Sequence, residues 1–206
     1  MLLDVIGILH MNNSIYDINF NIDKDKLIEE SNHCQFVPIN RVTMRLFQLS
    51  SKYTKGKKFT DYLNKKDNDW WKRQDSWHTS INADTKLLSK MPETTRILSI
   101  FKERLETNEI EANFFTQKVG TSAKMHADVG TACAINFILK GDETPIMFEE
   151  DGTFYYKNAL INVSKKHMVP EQTSTDRILF KLRILNMPFE EVREKLICTK
   201  EPIYVN

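Results

Sequence analysis

Apolar residues recur along this chain at two different spacings, and each spacing predicts a different element. Between Pro92 and Thr107, Ile97, Phe101 and Leu105 recur every four positions, which predicts a helix with Pro92 and an acidic residue in its first turn. Two shorter segments are also predicted to be helical, KDKLIEES near the start and Pro188 to about Ile197 near the end.

From residue 110 the period changes to two, and glycine-containing turns divide the chain into short segments. These segments predict strands at 112–118, 133–139, 145–149, 153–156, 158–163 and 177–185, with an earlier strand at 14–22. Short strands at such intervals favour an antiparallel sandwich or barrel over a βαβ sheet. We therefore expect a mainly β fold with helices packed against one side of the β core.

Composition narrows the class of protein. With 206 residues, 41% of them hydrophobic, the chain can build one sizeable core. Its 29 Lys and Arg against 28 Asp and Glu give a net charge of +1, which supplies no global field for nucleic acid, so such a partner is not expected. The longest apolar runs fall far short of the about 20 residues of a membrane span, and no secretory signal is evident. We expect a cytoplasmic protein without a membrane partner.

The three cysteines, Cys34, Cys133 and Cys198, are odd in number and far apart. This spacing fits neither a disulfide framework nor a zinc site, so we interpret them as free thiols and expect Cys133 to be buried.

One segment departs from the average composition. Residues 51–73 contain eight Lys and Arg against three Asp, a local charge of +5. We favour a solvated amphipathic helix here over a phosphate-binding patch. The nearby Trp70, Trp71 and Trp77 are interpreted as core or interface residues, with a substrate-covering lid as the alternative.

Candidate metal ligands occur in the segment KMHADVG. His126 and Asp128 are two residues apart at the end of a strand, so both side chains project to one face. A jelly-roll path would return His167, 39 residues beyond Asp128, to the same opening. Two imidazoles and one carboxylate would leave three positions of an octahedral ion free, as in non-haem Fe(II) oxygenases. The alternative for His167, which follows two lysines, is an ordinary surface residue.

Arg177, ten residues beyond His167, is the first residue of the last predicted strand. Arg177, Leu179, Lys181 and Arg183 share one strand face, and the opposite face is apolar. A guanidinium inside a barrel requires a partner, and a ligand carboxylate could pair with it bidentately. A salt bridge to Glu149 or to the neighbours of Asp176 is the alternative, and Arg183 is the second choice for the ligand arginine.

Together, His126-Ala-Asp128, His167 and Arg177 resemble the HxD…H…R signature of the 2-oxoglutarate- and Fe(II)-dependent oxygenases. The flanking segments EANFFTQKVGTSAKMHAD and YYKNALINVSKKHMVP are similar to the prolyl and aspartyl/asparaginyl hydroxylase-like branch of that family. The resemblance covers roughly residues 90–185. Asp128 is a departure from the aspartyl/asparaginyl β-hydroxylases, which typically lack this carboxylate ligand.

The resemblance implies a double-stranded β-helix, a cupin-like jelly roll. It also implies Fe(II) held by His126, Asp128 and His167, 2-oxoglutarate bound by Arg177, O₂ as the oxidant, and hydroxylation of a C–H bond. We expect the substrate to be a small molecule, peptide or protein, with an amino-acid, peptide or protein side chain favoured. The alternatives are a cupin-like metal protein of other activity, such as a hydrolase or isomerase, and a non-catalytic binding module.

These features suggest one domain over residues 1–206. Residues 1–90 would supply N-terminal support and a candidate lid, 91–185 the β-helix core, and 186–206 a terminal helix and tail.

Overall fold

The computed structural model describes residues 13–34, 37–38, 76–80, 88–128, 130–141 and 144–198. The basic segment at 51–73, with Trp70 and Trp71, lies outside these residues, so the predictions made for it are not addressed by the structure. Trp77 lies on a strand whose backbone is described.

Three helices and eleven strands make up the described part of the chain. The helices are α1 (Lys24–Ser31), α2 (Pro92–Arg104) and α3 (Phe189–Cys198). The strands are β1 (Ile15–Asp17), β2 (Val37–Pro38), β3 (Ser76–Ser80), β4 (Ile110–Gln117), β5 (Ala123–His126), β6 (Cys133–Lys140), β7 (Ile146–Phe148), β8 (Gly152–Phe154), β9 (Asn158–Ile161), β10 (His167–Val169) and β11 (Arg177–Ile184).

The strands form two antiparallel sheets. The larger sheet has the order β1-β9-β6-β11-β4-β3-β2, and the smaller has the order β5-β10-β7-β8. From β4 to β11 the chain alternates between the two sheets, as in a jelly roll, except at the β7–β8 hairpin, which lies within the smaller sheet. The fold is the double-stranded β-helix expected from the sequence, and sequence-distant strands become neighbours within it.

Two apolar clusters lie on the two faces of the larger sheet. One packs the helices against its outer face and includes Phe101, Phe137 and Phe180. The other lies between the sheets and includes Ile138, Phe148 and Leu179. The alternation along β6 and β11 produces this division, because successive side chains of a strand point to opposite faces. Helices on one side of a β core were predicted and are confirmed.

The predicted and observed bounds differ most for two elements. The strand predicted at 14–22 pairs only over Ile15–Asp17, because Phe20 leaves the sheet and packs into the helix-covered core. Helix α2 ends at Arg104 rather than Thr107. Glu106 has a φ of 53°, and the Thr107 N–H bonds to the Lys102 carbonyl, which closes the helix with a Schellman turn.

The cysteine prediction is confirmed. All three thiols are free, with Cys133 and Cys34 buried and Cys198 exposed. In the described part of the chain, no helix is both long enough and apolar enough to span a membrane.

Candidate metal centre

His126 and His167 are direct cross-strand partners. β5 and β10 pair antiparallel, and the register places the two histidines opposite each other. Partners in an antiparallel pair project to the same face of the sheet, and the two imidazole ring centroids are 4.6 Å apart. The pairing joins residues that are far apart in sequence, as the expected jelly-roll path requires.

Both imidazoles are oriented by the backbone in the same way. Nδ1 of His126 lies 2.5 Å from the carbonyl oxygen of Lys124, and Nδ1 of His167 lies 2.9 Å from that of Lys165. A carbonyl oxygen only accepts, so each Nδ1 carries a hydrogen, and in a neutral imidazole Nε2 then keeps its lone pair. This tautomer is the one required for coordination of a metal through Nε2.

Asp128 completes the cluster from the loop that follows β5. Its backbone N–H bonds to the Val163 carbonyl at 2.8 Å, which fixes the loop beside the sheet. Oδ1 lies 3.4 Å from Nε2 of His126. The ligand atoms offered by His126, Asp128 and His167 all lie within 4.8 Å of one another, so a single cation could contact all three.

Burial keeps His167 in its neutral form. The side chain is 6% exposed, and Phe148 packs beside it with ring centroids 5.9 Å apart. Burial lowers the pKa of His167 to about 4, although the Asp128 carboxylate acts in the opposite direction. At neutral pH the imidazole of His167 is therefore uncharged, which is the form that coordinates metals.

Arg177 lies inside the barrel, at 2% exposure. Its guanidinium donates to the Tyr156 hydroxyl at 2.8 Å, and its buried Nε has no hydrogen-bond partner. Within the described residues no carboxylate lies in salt-bridge range of this guanidinium. The alternative ion pairs do not form, because Glu149 pairs with Lys166 and Asp176 with Lys118.

Tyr156 connects Arg177 to Asn136 on the neighbouring strand β6. The Tyr156 hydroxyl oxygen accepts hydrogen bonds from Arg177 at 2.8 Å and from the Asn136 amide at 3.1 Å. With both bonds accepted, the phenolic hydrogen remains for an acceptor. The Tyr156 hydroxyl hydrogen and the Arg177 Nε–H are therefore two neighbouring donors in the interior.

Arg183, the second choice for a ligand arginine, has protein partners. It donates to the Thr131 hydroxyl at 2.6 and 2.9 Å and pairs with Glu111 at 2.7 Å. Its guanidinium is thus held by the protein itself, in contrast to that of Arg177.

Two residues of this site were not assigned a role from the sequence. Lys181, on the interior face of β11, donates to Oδ2 of Asp128 at 2.8 Å, and Tyr156 contacts Arg177. The alternation along β11 places Lys181 on the interior face, but its partner lies 53 residues away. Only the folded arrangement of the two sheets identifies that contact.

No family model and no curated protein matches the chain. The viral collagen prolyl hydroxylase of Paramecium bursaria Chlorella virus 1, in its 2OG complex, is 13% identical with a TM-score of 0.38, over 54% of this chain and 78% of that one. A Pseudomonas putida prolyl-4-hydroxylase is 11% identical with a TM-score of 0.41, over 56% and 71%. An RmlC-like cupin from Desulfovibrio desulfuricans is 17% identical with a TM-score of 0.29, over 36% and 73%. Likeness at this level carries no information about substrate or activity.

Proposed function

We propose that this chain is an Fe(II)- and 2-oxoglutarate-dependent dioxygenase that hydroxylates a C–H bond. The observation that carries the proposal is the convergence of one ligand atom from each of His126, Asp128 and His167 within 4.8 Å. Two neutral imidazoles and a carboxylate are the ligand set of non-haem Fe(II) oxygenases, which keep three positions open. His126, Asp128 and His167 would hold the iron, and O₂ would be the oxidant.

Besides a metal site, such an enzyme requires a binding site for the dicarboxylate 2-oxoglutarate, and the hydrogen-bond donors around Arg177 fit that requirement. A buried guanidinium with an unpaired Nε costs several kcal/mol unless an anion approaches it. A carboxylate would accept from Arg177 and from the Tyr156 hydroxyl together, and both donors are already oriented. We infer that Arg177 binds the distal carboxylate of 2-oxoglutarate.

The spacing along β11 suits a short dicarboxylate. Arg177 and Lys181 share the interior face of β11. They are four positions apart in the sequence, which separates their Cα atoms by about 13 Å along a strand. Lys181, near the middle of the strand, contacts the ligand residue Asp128, whereas Arg177 is the first residue of the strand. Both side chains extend inward, so a five-carbon dicarboxylate could contact Arg177 and the metal together.

The bound iron would supply the activation of O₂, coupled to the oxidative decarboxylation of 2-oxoglutarate. The protein supplies orientation and a dry interior. The backbone carbonyls of Lys124 and Lys165 orient the imidazoles. Phe148, a member of the apolar cluster between the sheets, packs beside His167 and would exclude water there. We propose an amino-acid, peptide or protein side chain as the substrate, since the net charge of +1 does not favour a polyanion.

Metal content and cosubstrate turnover test the proposal together. Purified protein reconstituted with Fe(II) should bind about one ion per chain and convert 2-oxoglutarate to succinate. His126→Ala and His167→Ala should lose the ion, because two ligands bind it far more weakly than three. His33→Ala is the matched control, since His33 follows α1 and does not belong to the ligand cluster.

Other outcomes would assign the chain to a different class. A bound ion without 2-oxoglutarate turnover would favour a cupin-like hydrolase or isomerase. Equal metal content in wild type and in both ligand variants would overturn the metal site and favour a binding module.

A further inference from the structure

The two oxygens of Asp128 face different partners. Oδ1 lies towards the histidines, 3.4 Å from Nε2 of His126. Oδ2 accepts a hydrogen bond from the Lys181 ammonium at 2.8 Å. The Asp128 side chain is 6% exposed and that of Lys181 is 19% exposed, so water screens this pair only partly. The carboxylate is therefore held in one orientation by a charged group.

The two residues of this ion pair come from opposite sheets. Asp128 follows β5 of the smaller sheet, and Lys181 lies near the middle of β11 in the larger one. β11 is paired on both sides, with β4 and with β6, which makes it a rigid support. Lys181 thus reaches across the interior from a fixed strand to a loop residue.

We infer that Lys181 is a positioning residue that restricts Asp128 to one-oxygen coordination of the metal. The inference rests on the proposed function. Lys181 engages Oδ2, which leaves Oδ1, 3.4 Å from Nε2 of His126, as the oxygen for the metal. A carboxylate released from Lys181 could coordinate through both oxygens, and the second oxygen would occupy a position that a cosubstrate or O₂ requires. Lys181 therefore preserves the third open position.

The positive charge of Lys181 also favours binding of the anionic cosubstrate at the metal. Imidazoles coordinate a metal in their neutral form, so the two histidines and the Asp128 carboxylate would give the protein ligands a charge of −1, and the Lys181 ammonium beside Asp128 restores neutrality. A divalent ion in this setting attracts a dianionic chelator more strongly than it would beside the carboxylate alone. Loss of Lys181 should thus strengthen binding of the cation and weaken binding of the anion.

Three substitutions separate this role from simple neutralisation of Asp128. Lys181→Met removes the donor and the charge, and Lys181→Arg keeps both. Arg183→Met is the matched control, because Arg183 lies on the same strand face but pairs with Glu111 and Thr131 instead. Circular dichroism would establish that each variant is folded, and Lys181→Gln would replace Lys181→Met if the latter does not fold.

The measurement is the water-proton relaxivity of bound Mn(II), which reports how many water molecules coordinate the ion. Lys181→Met should lower this relaxivity to about two thirds of the wild-type value, as the open positions fall from three to two. The same variant should bind Mn(II) at least as tightly as wild type. It should bind N-oxalylglycine, an unreactive 2-oxoglutarate mimic, about tenfold or more weakly. Lys181→Arg and Arg183→Met should resemble wild type in all three measurements.

The remaining outcomes separate the two hypotheses. If wild type binds Mn(II) and Lys181→Met leaves both the relaxivity and the N-oxalylglycine affinity unchanged, Lys181 merely neutralises Asp128 and the inference is wrong. If Mn(II) affinity falls equally in Lys181→Met and Arg183→Met, the effect is a general loss of stability and the inference is also wrong. If wild type binds no Mn(II), the proposed function itself fails, and the inference fails with it.

Discussion

Gly141 lies directly against the backbone of Arg177. A Cβ added at Gly141 would come within 2.9 Å of the Arg177 Cα and within 3.1 Å of the Asp176 carbonyl oxygen. Both contacts are with backbone atoms at the start of β11, so a rotamer change cannot relieve them. Gly141 also has a φ of +72°, a conformation that side chains rarely adopt. The residue therefore sets where β11 begins and where the Arg177 side chain enters the barrel.

We predict that Gly141→Ala displaces Arg177 and weakens 2-oxoglutarate binding. Gly120→Ala is the matched control, since Gly120 has a φ of +80° and nothing within 4 Å of an added Cβ. Backbone strain alone should cost each variant about 1–2 kcal/mol of unfolding free energy. Only Gly141→Ala should show a further loss of stability and a higher dissociation constant for 2-oxoglutarate, measured by calorimetry. Equal effects from the two variants would contradict the positioning role of Gly141.

Arg177→Met should reduce the affinity for 2-oxoglutarate and leave metal binding intact. A charge-assisted carboxylate pair contributes about 1.5–3 kcal/mol, so the dissociation constant should rise about ten- to a hundredfold. Arg183→Met should lower the melting temperature, because it leaves the partly buried Glu111 without its arginine. It should change 2-oxoglutarate affinity far less than Arg177→Met. The reverse order of affinity losses would identify Arg183 as the cosubstrate arginine.

Only one of the three thiols should react rapidly with a disulfide reagent in the native protein. Burial raises the pKa of Cys34 and of Cys133 to about 12, so neither forms the reactive thiolate at neutral pH. Cys198 is exposed at the end of α3. Titration with Ellman's reagent should show one fast equivalent, which Cys198→Ser removes, and denaturant should expose the rest. More than one fast equivalent in folded Cys198→Ser would show that a buried thiol is accessible.

The metal-free protein should lose stability as the pH falls from 6.5 towards 4. Burial lowers the pKa of His167 from 6.5 to about 4, so in this window the unfolded chain binds a proton that the folded chain does not. The free energy of unfolding then falls with falling pH, with a slope approaching about 1.4 kcal/mol per pH unit from this group, and levels off below pH 4. Urea unfolding of wild type and His167→Gln between pH 4 and 7 isolates the contribution. Identical slopes in the two proteins would show that His167 titrates normally.

The sequence predicted the long elements and the short strands β7, β8 and β9, but not β10. β6 and β11 are eight residues each: β6 is an almost continuous apolar run, and in β11 every second residue is apolar, which indicates the face that packs into the core. β7 and β8 flank the Asp151–Gly152 turn, whereas β10, also three residues long, has no glycine beside it. Its pairing depends on partners elsewhere in the chain, because His167 pairs with His126 on one side and Phe148 on the other.

The candidate site likewise contains residues that the sequence indicated and contacts that it did not. The sequence indicated His126, Asp128, His167 and Arg177 through residue type and spacing, and the structure brings the first three together. The contacts of Lys181 with Asp128 and of Arg177 with Tyr156 join residues 53 and 21 positions apart. No local sequence pattern predicts either contact, because each depends on how separate segments of the chain face each other across the barrel.

Strand β5 carries His126 at the edge of the smaller sheet, where, among the described strands, it pairs only with β10. An edge strand of four residues is held by few hydrogen bonds and frays readily. An ion bound to His126, Asp128 and His167 would fasten this strand and its following loop to β10 through their side chains. Occupancy of the metal site would then be coupled to local order of the chain. In addition to its proposed role in the reaction, the bound ion would stabilise the edge strand β5. Release of the ion would reduce the order of the strand and loop that carry two of its ligands.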